Sequence, residues 1–89
     1  MNGDTIVERA AELIETEVDG DLVALDIEQG NCFGFNATAS RVWQILAQPR
    51  SVSAIVDTLL EEFAIDRATC QTAVIQLIED MASRKLVRV

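Results

Sequence analysis

Leu22-Val23-Ala24-Leu25-Asp26-Ile27-Glu28-Gln29-Gly30-Asn31-Cys32-Phe33-Gly34-Phe35-Asn36 is the stretch on which the fold turns. Leu22 to Ile27 is rich in apolar residues and reads as a strand. Gln29-Gly30-Asn31 marks a turn, and Cys32 to Phe35 make a short further strand. Asn36 closes the pattern, because its side-chain oxygen is suited to accept from the unpaired N–H groups of a helix start. Beyond it the apolar spacing changes from two to between three and four.

Upstream, Asp19-Gly20 is another hairpin turn, preceded by the alternating Ile14, Thr16 and Val18. These three strands form an antiparallel meander over residues 13 to 35. Further back the pattern is ambiguous. Ile6, Ala10 and Leu13 have helical spacing, so residues 6 to 12 stay open between strand and helix.

Downstream lie three helices. The first runs from Ala37 to Ala47, buries Ala39, Val42, Trp43 and Leu46, and is stopped by Pro49. The second is capped by Ser51 and places Ile55, Val56, Leu59, Leu60 and Phe63 on one face. The third, from Arg67 to Ser83, is capped by Asp66 and carries a core stripe of Cys70, Val74, Leu77 and Met81. Leu86 and Val87 return to the core. The fold class is α+β: a three-stranded antiparallel sheet against one end of a helical bundle. One domain spans residues 1–89, with residues 1–5 expected to be disordered.

The chain has 89 residues, 49% of them apolar and 25% charged, the balance of a folded globular domain. No apolar run nears the roughly 20 residues that span a bilayer, and Met1 to Asp4 open no signal peptide, so the expected location is cytoplasmic with no membrane partner. The net charge of −8 is concentrated at one end. Residues 1 to 28 hold nine acids against Arg9 alone, whereas the rest hold six acids and six bases. Such a surface repels phosphate, against a nucleic-acid partner. It also serves solubility.

Little in the sequence suggests catalysis. There is no histidine to act as general base, and Cys32 and Cys70 have no CxxC spacing for zinc. Glu61-Glu62 and Glu79-Asp80 lie on polar helix faces, and the glycines have no phosphate-loop spacing. The expected catalytic residues, metals and cofactors are none, and the chain reads as a binding module rather than an enzyme.

Two features suit binding. The third strand lies at the edge of the meander, where unpaired N–H and C=O groups invite another strand. There Phe33 and Phe35 face one way, Cys32 and Gly34 the other, and Gly34 lets a second backbone approach. On the third helix Ile75 falls about 130° from the core stripe at 100° per residue. Gln71, Ile78 and Ala82 lie between, with Ile78 on the stripe's shoulder. An edge strand beside a partly apolar helix flank makes a groove of the strand-addition type. The expected peptide-binding residues are Cys32, Phe33, Gly34, Phe35, Gln71, Ile75, Ile78 and Ala82. Asp26 and Glu28 are expected to steer a basic peptide segment toward it.

From Leu22 to Val87 the chain also resembles a known family. The run Leu25 to Asn36 looks like the "LDxxxGxYYGLN" pattern of PqqD-like proteins, the recognition elements of ribosomally synthesised, modified peptide pathways. Ala39-Ser40-Arg41-Val42-Trp43 is similar to the "xxRIW" that opens the family's first helix. Pro49-Arg50-Ser51-Val52, Glu62-Phe63-Ala64-Ile65-Asp66 and Leu86-Val87 match later landmarks in order. Cys32 stands where a tyrosine is usual and Phe35 where a leucine is usual.

The resemblance implies a winged helix-turn-helix-like domain that captures the leader of a precursor peptide. In the family the leader adds to the third strand and lies in the cleft against the third helix. The Pro49-Arg50-Ser51 link and Cys70 look most like the stand-alone leader-binding proteins of lasso-peptide clusters. There the partners are a transglutaminase-like leader peptidase and an asparagine-synthetase-like macrolactam cyclase. A PqqD-type peptide chaperone serving a radical SAM enzyme is the alternative. A winged-helix DNA-binding protein is a second, disfavoured because residues 67 to 82 offer Arg67 as their single base.

Overall fold

The computed structural model describes residues 1–19 and 21–89. Gly20, half of the expected first hairpin turn, lies outside the described residues. The meander is present as β2 (Ile14–Val18), β3 (Asp21–Asp26) and β4 (Asn31–Phe35), antiparallel in the order β2-β3-β4. Between β3 and β4 Gly30 has φ +71, a left-handed conformation that glycine adopts at little cost. The Asp26 carboxylate accepts from the Gln29 N–H and closes that turn.

Three helices follow. The first, α1 (Ala37–Ile45), is capped by Asn36, whose side chain accepts from the Ala39 N–H. Next, α2 (Val52–Glu62) is capped by Ser51 accepting from Ala54, and α3 (Arg67–Ser83) by Asp66 accepting from Thr69. The architecture is α+β, as the change of period implied. Ala39, Val42, Trp43, Leu46, Ile55, Val56 and Leu59 are buried as expected, and Leu86 and Val87 return to the core.

The stretch left open, residues 6 to 12, begins with a strand. It is β1 (Ile6–Arg9), the centre of a second small sheet between β5 (Arg50–Ser51) and β6 (Val87–Arg88). Glu8 pairs with Arg88 directly across β1 and β6, in register and as an ion pair. Residues 2–5, expected to be disordered, make a turn tied to α2. The Val52 and Ser53 N–H groups donate to the Thr5 and Gly3 carbonyls.

Two expectations about helix faces are corrected. Phe63 is not on the buried face of α2. The helix ends at Glu62, and Phe63 turns to extended backbone, 40% exposed. On α3 the buried stripe is Cys70, Val74, Ile78 and Met81, while Leu77 is only half-buried. Ile78 is at the centre of the core rather than on its shoulder, with no exposed surface. Intervals of four, four and three fit a helix as well as four, three and four. They turn the buried face by about 25° at 100° per residue.

Candidate functional site

Among the described residues β4 is paired on one side only, by β3, with Phe33 opposite Ala24 and Gly34 opposite Val23. Its five residues carry no charge. The strand is held in place through Phe35, 7% exposed, whose ring lies 5.8 Å from Trp43 at a tilt of 48°. Trp43 is fully buried, and the Arg9 guanidinium sits 4.1 Å from its ring centre and donates to its carbonyl. One cation–π stack thus links β1 to α1, and through Phe35 to the edge strand.

Beside β4 a cleft of about 160 Å³ opens against α3. Phe33, Gly34 and Phe35 line one wall, and Leu77, Met81 and Arg84 line the other. Asp80 and Arg84, one turn apart and also on the lining, form an ion pair at 3.3 Å. A second hollow, of about 180 Å³, continues along the same flank of α3, walled by Leu59, Phe63, Ile65, Ala73 and Leu77. Leu77 belongs to both cavities, so the two form one trough with a polar end at Asp80–Arg84 and an apolar end at Phe63 and Ile65.

Two carboxylates outside the trough brace the helices around it. Thr69 donates to Asp66 from its backbone N–H and from its hydroxyl, which holds the Asp66 carboxyl below the usual range and fixes the start of α3. Arg41 forks onto Glu62 with nitrogen–oxygen distances of 2.8 to 2.9 Å, tying α1 to the end of α2. That hydrogen bonding lowers the Glu62 pKa and raises that of Arg41. Burial pushes the Cys70 thiol up, as for a packing residue and not a nucleophile.

Of the expected site residues, Phe33, Gly34 and Phe35 line the cleft, while Cys32 is exposed and faces the other side of the sheet. The helix residues are placed differently. Ile78 is in the core, and Gln71, Ile75 and Ala82 lie on the opposite flank of α3, half-buried. None of these four lines either cavity beside β4. The flank that does so is Ala73, Leu77, Asp80 and Arg84, a stripe at intervals of four, three and four that the sequence also carried. Asp26 and Glu28, expected near the groove, border a different hollow, with Ala10 to Ile14.

No helix among the described residues is long and apolar enough to cross a membrane. The sequence profile of the family described as coenzyme PQQ synthesis protein D (PqqD) matches residues 21–87. No curated protein sequence matches the chain. Among solved structures, TbiB1 in complex with the TbiA(beta) leader peptide is similar at a TM-score of 0.79 and 25% identity, over 91% of this chain and 94% of that one. A lasso peptide synthetase B1 complexed with the leader peptide is similar in fold, at a TM-score of 0.78 and 19% identity, over 93% and 98%.

Proposed function

The chain belongs to the PqqD family, and from that premise we propose that its β4 edge and the trough along α3 bind the leader segment of a ribosomally made precursor peptide and deliver it to a maturation enzyme. The carrying observation is an uncharged edge strand, paired on one side only among the described residues, that faces a cleft walled by Leu77 and Met81 with the Asp80–Arg84 ion pair on its lining. An extended leader adds as a fourth strand through backbone hydrogen bonds, and its alternate side chains enter the trough. Backbone pairing supplies affinity without sequence demand, while Leu77, Phe33 and the hollow at Phe63 select apolar residues. The site residues of this reading are Cys32 to Phe35 as a backbone edge, with Leu77, Met81 and Arg84 replacing the α3 residues expected from sequence.

The likeness to TbiB1 bound to a leader peptide supports leader capture. The resemblance of the Pro49-Arg50-Ser51 link and Cys70 to stand-alone members of lasso-peptide clusters favours a leader peptidase as the receiving enzyme. A radical SAM enzyme is the second reading, favoured by the family's description as a cofactor-synthesis protein. The chain's role is to hold the peptide and not to cut or cross-link it. Titrating the isotope-labelled protein with the synthetic leader of its precursor tests this. Amide shifts concentrated on residues 31–35 and on Leu77, Asp80 and Arg84 are expected. Tight binding that shifts other surfaces instead, or no binding, sinks the proposal.

A further inference from the structure

The outer face of the meander has an unusual composition for a solvated sheet. Directly opposed residues of antiparallel strands share a face, so the register assigns sides without ambiguity. Buried Ala24 is opposed by Glu15 and Phe33, and Leu22 by Glu17 and Phe35, so those residues share the side that packs on the core. The other side carries Ile14, Leu25 and Cys32 in one row, Thr16, Val23 and Gly34 in the next, and Val18 opposite Asp21 beyond. An antiparallel sheet with one face in water ordinarily puts polar residues there. Here β2 does the reverse, with its apolar residues outward and its glutamates on the inward side.

Ile14, Val18 and Leu25 are 53%, 52% and 38% exposed, and Ile27, in the turn that follows, is 71% exposed. The face runs into an open hollow of about 690 Å³, where Ile14, Leu25 and Ile27 meet Glu12, Asp26 and Glu28, with Lys85 at one wall. Residues 12 to 35 hold seven acids and no base. Glu15 and Glu17 are on the inward side, so the rim of this face is Asp21 beside Val18 and Glu12, Asp26 and Glu28 at the hollow. Among the described residues none of the seven is in an ion pair. An apolar centre with an unpaired acidic rim is a docking surface lacking its counterpart.

The structure assigns this face to the maturation enzyme itself, through a surface on that enzyme with an apolar centre and a Lys/Arg rim. The charge names the occupant. A second copy brings the same acidic rim, Glu12, Asp21, Asp26 and Glu28, and is repelled, and anionic lipid is repelled likewise. The face also lies on the side of the sheet away from the trough, so enzyme and leader bind together without competing for side-chain contacts. The enzyme's identity rests on the leader-delivery reading; the chemistry of the face does not.

The experiment uses the full chain carrying Ile14→Lys and Leu25→Lys together, two exposed changes that leave the core intact. It is measured against the synthetic leader and, separately, against the purified enzyme that matures that leader. Leader affinity within twofold of wild type is expected, with enzyme affinity down at least tenfold and wild-type enzyme association slowing as salt rises. A Glu12→Lys and Glu28→Lys variant should slow enzyme association while its thermal melt stays that of the wild type. Enzyme affinity unchanged in both variants overturns the inference while leader binding still stands. Failure of the wild type to bind leader is the failure of the delivery reading instead. Wild-type dimerisation that the Ile14 and Leu25 changes abolish puts a second copy on the face and also overturns it.

Discussion

The two edges of the same three-stranded sheet differ in kind. Along β2, Ile14-Glu15-Thr16-Glu17-Val18, two of five residues are charged and none is buried. Along β4, Asn31-Cys32-Phe33-Gly34-Phe35, none is charged and the last is in the core. An exposed strand edge invites pairing, and charges along it are the common protection. One edge is therefore guarded and the other is left open, beside a cleft. The difference supports the proposal that the open edge, rather than the guarded one, receives the leader.

The comparison breaks most directly at the backbone. Phe33→Pro and Gly34→Pro each remove an N–H, and neighbouring positions on a strand direct theirs to opposite sides. One of the two therefore removes a donor meant for the leader while the β3–β4 ladder stays intact. A loss of leader affinity of about a hundredfold, roughly 2.7 kcal/mol, is expected from that variant by fluorescence polarisation. The matching change on the other edge, Thr16→Pro, should leave leader affinity within twofold. Equal losses at both edges, with both variants folded, mean that the edges are not functionally distinct.

Side chains of the trough should have a smaller effect. Truncating Leu77 to alanine removes an apolar contact shared by both cavities and should weaken leader binding by about 1 to 2 kcal/mol. The same truncation at Ile75, on the far flank of α3, should leave binding unchanged. A loss at Ile75 and none at Leu77 would place the leader on the other side of the helix. That is the assignment the sequence suggested, and the reason it did so is physical.

Secondary structure was legible because the local signals were strong. Three cap residues, Asn36, Ser51 and Asp66, each accept from the N–H three residues on, and the start of α3 follows from its cap. The edge strand was legible from Gly30 and the Cys32–Phe35 run. The rotation of α3 was not. Cys70, Val74, Leu77, Ile78 and Met81 are all apolar, and two stripes differing by about 25° account for them equally. Only packing against the rest of the core chooses Ile78 over Leu77, and that choice moves the groove from one flank to the other. The second sheet was hidden for another reason. Two-residue strands such as Arg50–Ser51 and Val87–Arg88 have no periodicity, and their pairing with β1 joins residues far apart in sequence.

The guarded edge yields a weaker effect again. Replacing Glu15 and Glu17 by threonine removes both charges from β2 and keeps a side chain suited to a strand. Two such edges are then free to pair, and weak concentration-dependent self-association is expected in sedimentation equilibrium where the wild type shows none through this edge. Leader affinity at β4 should not move. A doubly substituted protein that stays monomeric at high concentration means that something other than these charges keeps the edge apart.

The smallest effect expected is a pH dependence confined to the cleft's side of the molecule. The folded state holds the Asp66 carboxyl below its ordinary value through the Thr69 N–H and hydroxyl, and Glu62 below its own through Arg41. A depressed carboxylate pKa means that the unfolded chain takes up protons first as pH falls. Both groups therefore contribute stability that is fully present above the ordinary carboxylate range, near pH 4, and is lost as pH drops through the folded values. Asp66 caps the helix whose flank is the trough's wall, so this loss should appear first as faster exchange of the Thr69 and Cys70 amides below about pH 4. The β2–β3 hairpin, far from either carboxylate in the chain, should keep its protection there. Asp66→Asn retains an acceptor for the Thr69 N–H without the titration, and should flatten the acid limb for those two amides while lowering protection at neutral pH. If exchange at Thr69 rises equally in the Asn variant and the wild type as pH falls, the cap's ionisation is not what holds the start of α3.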